Sequence, residues 1–195
     1  RLSLVGSEMC IRDSDKSLVL HAGYHNRFLK TFSRARSLFQ SGSVGRFLQF
    51  NLSATLGGPN LSWEPKSGWY HSREAGGVTF DAGSHMFDLL HYVTGEEIVE
   101  ASVQTAVSDS NNELPDQVAI SVKTRNGVVG TVNIGWGGRT AIQSLTIYGT
   151  DGHFIATPTA VTYRSPKHNK ITDIFEYLGS ALALAKGIFL SLIHI

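Results

Sequence analysis

The chain predicts an α+β domain: an open, mostly antiparallel sheet of about six strands with helices packed on one face. Three observations carry that reading. Strand-like alternation occurs over 45–55, 97–108, 116–124, 127–136, 142–149 and 153–163. The dipeptides Asn126-Gly127 and Asp151-Gly152 fall between successive pairs of these segments, where a tight hairpin needs residues tolerant of positive φ. Helical periods cover 28–41, 79–94 and 172–187, enough to cover one side of such a sheet.

Taken in order, residues 17–24 (SLVLHAGY) form an apolar run ending near glycine, as a buried strand does. From 28 to 41, Phe28, Phe32, Ala35 and Phe39 recur at helical spacing while Lys30, Arg34 and Ser37 take another face, and Gly42 suits the helix end. After the strand at 45–55 a long connection runs to about Arg73. Connections of that length inside a small domain form binding loops or lids, so Trp63, Trp69, Tyr70 and His71 are candidates for the wall of a site; packing the loop down is the competing use of such rings. Over 79–94, Ala82, Met86, Leu89, Leu90 and Val93 form an apolar stripe. In the following strands Val118, Ile120 and Val122 alternate with Ala119, Ser121 and Lys123, which gives the sheet one covered and one free face.

Both ends read as translated sequencing adapter. Leu190 to Ile195 (LSLIHI) back-translates to the mosaic end of a transposon used to fragment DNA, and Met9 to Ser14 (MCIRDS) to its opposite strand. Residues 1–14 and 190–195 are therefore set aside, leaving about 175 residues, the usual size of one domain. The single cysteine, Cys10, falls in the adapter-like part, so the remainder offers no disulfide framework, zinc-thiolate site or thiol nucleophile. A formal charge of +1, from 17 basic and 16 acidic side chains, argues against a nucleic-acid groove or a membrane patch. The apolar run from Leu178 is interrupted by Lys186 and ends in adapter-like residues, so no span is read there; a cytoplasmic location is expected.

The chemistry concentrates in residues 76–90 (GGVTFDAGSHMFDLL). On a helix, Asp81, His85, Asp88 and Tyr92 follow i, i+4, i+7, i+11 and share a face away from the apolar stripe. An Asp one turn before a His can accept a hydrogen bond from the imidazole, raise its pKa and fix its tautomer, as suits a general acid/base; a solvated helix face is the bland alternative. Gly76-Gly77 lets backbone approach a ligand at a helix start. Asp81, His85 and His71 are the nearest thing to a metal triad, but no ligand signature accompanies them, so no metal is expected. Ser84 and His85 are adjacent on the helix and diverge, which excludes a triad. Gly135-Trp136-Gly137-Gly138-Arg139-Thr140 lacks the third glycine and the following helix of a dinucleotide fingerprint.

In order and separation, AGYHNRF at 22–28, SGSVG at 41–45, Trp69 and the stretch from Gly76 to Asp88 resemble the second half of the Gfo/Idh/MocA family of NAD(P)-dependent oxidoreductases. The resemblance implies hydride transfer between NAD or NADP and a secondary alcohol of a sugar, polyol or related compound such as inositol. It implies His85 as acid/base and Asp81 as its partner in catalysis, Trp69, Tyr70 and Asp88 toward substrate, and Asn26, Arg27, Gly76 and Gly77 toward cofactor. It further implies that residues 15–27 are the last strand and linker of an N-terminal Rossmann domain, which holds most of the cofactor and a catalytic lysine, and that 28–189 form a C-terminal substrate and oligomerisation domain. A fragment of that kind is expected to be inactive alone, and the full-length protein to form a homo-oligomer through the open sheet face. A non-catalytic sheet module for assembly or ligand binding stays open as the alternative.

Overall fold

The computed structural model describes residues 23–57, 76–108, 114–138, 140–166 and 168–172. A 3-10 turn, His25–Phe28, leads into helix α1, Lys30–Gln40, and strand β1, Phe47–Thr55. Helix α2, Gly77–Thr94, follows, and then the strands β2 (Ile98–Ala106), β3 (Gln117–Thr124), β4 (Val129–Gly135), β5 (Ile142–Gly149), β6 (His153–Ala156), β7 (Val161–Ser165) and β8 (His168–Thr172). The α+β class is as the alternation predicts. The expected strand at 17–24 lies outside the described residues except at 23–24, which are not in a strand.

Among the described residues the strands join one sheet in the order β2-β3-β4-β1-β5-β6-β7-β8. β1 pairs in parallel with β4, placing Leu52 opposite Val132, and every other neighbouring pair is antiparallel. The central strand thus joins two antiparallel meanders, and the chain between β1 and β2 carries α2 across one face.

The sheet has eight strands where sequence alternation suggests about six. The segment 153–163 divides because Thr157 donates its backbone N–H to the Ala160 carbonyl (2.8 Å), turning the chain between β6 and β7. β8 then occupies 168–172, so Thr172 is a strand residue and not a helix start. The rest of the expected helix 172–187 lies outside the described residues.

Burial follows the period of two. In β1, Phe50, Leu52 and Ala54 are buried and the intervening residues are not; Val118, Ile120 and Val122 of β3 behave alike. Above them lie Met86, Leu89, Leu90 and Val93 of α2 and Phe32, Ala35 and Leu38 of α1. Each large side chain so buried contributes about 1.5–3 kcal/mol relative to exposure. The inward face of α1 runs through Thr31, Phe32, Ala35 and Leu38, whereas Phe28, expected on that stripe, ends the 3-10 turn and is exposed. The change from 3-10 turn to α-helix at Leu29 breaks the phase that a continuous helix from 28 assumes.

The two hairpin signals are realised with shifts. Thr124 and Val128 close a three-residue loop, Arg125 to Gly127, through a 2.8 Å bond. Gly149 and Gly152 close a two-residue loop whose central residues are Thr150 and Asp151. Gly152 stands where β7 passes close by: a Cβ there would meet the Arg164 carbonyl oxygen at 2.6 Å.

Candidate active site

The site is where the His25–Phe28 turn lies against the outward face of α2. Its helix starts at Gly76, which takes φ 74° as N-cap, and continues through Gly77 at φ 57°. Both angles favour glycine. The space beside Gly77 is already taken by Leu114, whose Cδ1 would lie 3.3 Å from an added Cβ, so protein packing uses the close approach foreseen for a ligand.

Asp81, His85, Asp88 and Tyr92 lie on one side of α2, but that side faces the turn and α1 more than open water. The Asp88 side chain is 7% exposed and accepts from Arg27: Nε donates to Oδ2 at 2.9 Å and to Oδ1 at 3.1 Å, and Nη2 donates to Oδ1 as well. The Arg27 guanidinium also sits 5.8 Å from the Tyr24 ring centroid and 5.7 Å from that of Tyr92. A two-pronged carboxylate contact with aromatic flanks is the geometry for which arginine is suited. The Asp88 bond further raises the proton affinity of Arg27, which stays charged. The two groups assigned by resemblance to substrate and cofactor are therefore bonded to each other.

His85 is half-buried between two aromatic rings. Tyr24 meets it edge-on at 5.7 Å between centroids, and His25 lies at 5.0 Å with the planes tilted by 59°. Its Nδ1 is buried and has no hydrogen-bond partner. Burial, followed by the charge of His25, holds the imidazole below its ordinary 6.5, against the opposing pull of Asp81 and Asp88. The direction is opposite to that expected from an Asp one turn away, because loss of hydration outweighs the carboxylates. The ring is consequently neutral at pH 7 and able to accept a proton. Ser84 donates to the Asp81 carbonyl at 3.2 Å, consistent with its exclusion from any triad.

Asn26 is 1% exposed, and neither its amide nitrogen nor its amide oxygen finds a partner. Buried amides are rarely left so. Trp69 and Tyr70, and with them Trp63 and His71, lie outside the described residues. Among the described residues, no three His, Cys, Asp or Glu side chains converge as a metal site would require, and no helix is long and apolar enough to cross a membrane. Two depressions, of about 450 and 300 Å³, are on the open face of the sheet, one over Gln49, Ser121 and Thr131 and the other over Thr55, Gln117 and Asn133.

His25 and Tyr24 are the site residues that helix spacing misses. A pattern of i, i+4 neighbours sees only one element, whereas these contacts cross from the turn to α2. The signal available was composition: a Tyr-His-Asn-Arg run just before a helix.

The fold is an α+β domain with the helices on one face of an open, mostly antiparallel sheet. Residues 32–155 match the family model described as the GFO/IDH/MocA C-terminal domain, and the chain belongs to that family. It is 22% identical over 164 residues to myo-inositol 2-dehydrogenase of Thermotoga maritima, an alignment covering 80% of this chain and 46% of that protein. It is 28% identical over 156 residues to the uncharacterized oxidoreductase YrbE of Bacillus subtilis, covering 74% of this chain and 42% of the relative. A levoglucosan dehydrogenase solved with NADH and levoglucosan superposes with a TM-score of 0.65 at 21% identity, over 82% of this chain and 45% of that one. The chain thus spans a little under half the length of these proteins.

Proposed function

We propose that this chain supplies the substrate-side half of an enzyme that transfers a hydride between NAD or NADP and a secondary alcohol of a sugar or polyol, with His85 as the group that takes or returns the hydroxyl proton. The observation that carries the reading is the state of His85. It is neutral, half-buried, flanked by two rings and left with an unpaired Nδ1 on the helix face that also bears Asp81. An imidazole that burial holds below its ordinary value is free to accept a proton at neutral pH. Asp81 stabilises the imidazolium once it forms, because its charge acts in favour of the cation.

The nicotinamide cofactor, when bound, supplies the hydride acceptor and donor. The residues described fit only its reacting end. Asn26 brings an unpaired amide donor and acceptor of the kind a carboxamide could match, whereas the space beside Gly76 and Gly77 is filled by Phe80 and Leu114. No glycine-rich turn between strand and helix is present among the described residues to hold a pyrophosphate. Most of the cofactor contacts and the polarising lysine are assigned to an N-terminal Rossmann domain, in keeping with relatives about twice as long. Trp69 and Tyr70 are assigned to the substrate wall. Arg27 and Asp88 take the lesser part of holding the turn against α2. The cytoplasm is the expected compartment.

A second reading, as an assembly module, is favoured by the open sheet face. That face presents Thr131, Ser121 and Thr146 with the exposed Val129 and Ile155, a broad surface of small side chains that a second copy could cover. The two readings are compatible in a homo-oligomeric enzyme.

The test is His85→Asn in the full-length protein, assayed with myo-inositol and with levoglucosan against NAD and NADP. Turnover is expected to fall by about 10²-fold or more while cofactor binding, read by fluorescence, holds. Unchanged turnover would overturn the assignment.

A further inference from the structure

A line of contacts leaves α2 at Asp88 and returns to it at His85 by way of Tyr24. Asp88 accepts from Arg27, the Arg27 guanidinium sits 5.8 Å from the Tyr24 ring centroid, and the Tyr24 ring stands at 90° to the His85 imidazole with 5.7 Å between centroids. The Tyr24 carbonyl also accepts the Arg27 backbone N–H at 3.3 Å. Tyr24 is thus held by its backbone and over its ring. It is no part of the hydrophobic core among the described residues, so core packing gives no reason for a ring there.

The two nitrogens of His85 differ. Nδ1 is buried with no hydrogen-bond partner, whereas Nε2 is not shut away in this manner. The last torsion of a histidine is broad and two-fold, so its neighbours decide the plane of the ring and which nitrogen faces outward. A perpendicular pair of rings is a favoured arrangement, because the positive edge of one meets the negative face of the other, and it resists that rotation. Of the two turn side chains packed on the imidazole, Tyr24 is the larger and the less exposed. The charged groups that bear on His85 are His25 from the turn and Asp81 and Asp88 from its own helix, yet burial is the largest influence on its proton affinity. We propose that Tyr24 is the positioning residue of His85: it sets the plane of the imidazole and closes Nδ1 to water, which leaves Nε2 to exchange a proton with the alcohol. The proposal rests on the acid/base reading of His85 and adds a residue that acts through it.

The test is NMR of the His85 ring in this 195-residue chain, with the pH midpoint reporting its hydration and carbon relaxation reporting its rotation. Tyr24→Ala removes the neighbouring ring, and Tyr24→Phe keeps it without the hydroxyl. In the alanine variant the midpoint is expected to rise toward 6.5 and the imidazole to gain mobility; in the phenylalanine variant both are expected to match the unsubstituted chain. Tyr24→Leu, which refills the volume without a flat face, serves if alanine loosens the turn, and a gain in mobility is expected there too. Small variants that keep the original mobility and midpoint would overturn the proposal, and so would a phenylalanine variant that behaves like alanine. Either result would leave the acid/base role intact, because loss of turnover in His85→Asn tests that role without reference to Tyr24.

Discussion

Asp88, in the middle of α2, closes a two-pronged bond with Arg27, sixty-one residues earlier in the chain, and so fixes the His25–Phe28 turn beside His85. The pair is structural at short range and functional at one remove. It sets where Tyr24 and His25 can stand, and those two rings set the surroundings of His85.

Asp88→Asn removes the charge that Arg27 meets and is expected to lower stability by about 1 kcal/mol, a charge-assisted bond discounted for the 41% exposure of the Arg27 side chain. Urea unfolding of this chain measures it. An unchanged midpoint would mean that the carboxylate is free for other work.

Stability should also fall as pH drops through the imidazole range. His85 is held below 6.5 in the folded chain, so below pH 6.5 the unfolded chain binds a proton that the folded chain refuses. The loss continues until His85 itself is charged; above 6.5 this ring adds no pH dependence. Urea midpoints at pH 7.5 and 5.5 should therefore differ more for the unsubstituted chain than for His85→Asn. Equal differences would contradict the direction assigned to His85.

Gly152→Ala drives a methyl group to 2.6 Å from the Arg164 carbonyl oxygen, a backbone atom that cannot swing aside. A cost of about 1–3 kcal/mol is expected from such overpacking. A thermal melt of the variant checks it, and an unaltered Tm would show that β7 can retreat from the turn.

Much of this was legible in the sequence, for identifiable reasons. The alternation in β1 and β3 and the stripe Ala82, Met86, Leu89, Leu90, Val93 each lie within one element, and burial reproduces them. The division of 153–163 is signalled in the sequence only by Pro158, inside the turn at Thr157–Ala160, which a count of alternating apolar residues does not register. In the site, Asp81, His85 and Asp88 could be placed on a common face by spacing alone. The sign of the shift at His85 could not, since it depends on burial by Tyr24 and on His25, both supplied by a different segment. The bond between Arg27 and Asp88 was hidden for the same reason: local periodicity carries no information about a partner so distant in the chain.

The most direct measurement for the central claim is kcat/KM for alcohol oxidation by the full-length protein between pH 5 and 8. If neutral His85 is the proton acceptor, the rate rises with pH through an inflection below 6.5 and levels off by pH 7, and His85→Asn abolishes that inflection. A rate that falls over this interval, or an inflection that survives the substitution, would contradict the account.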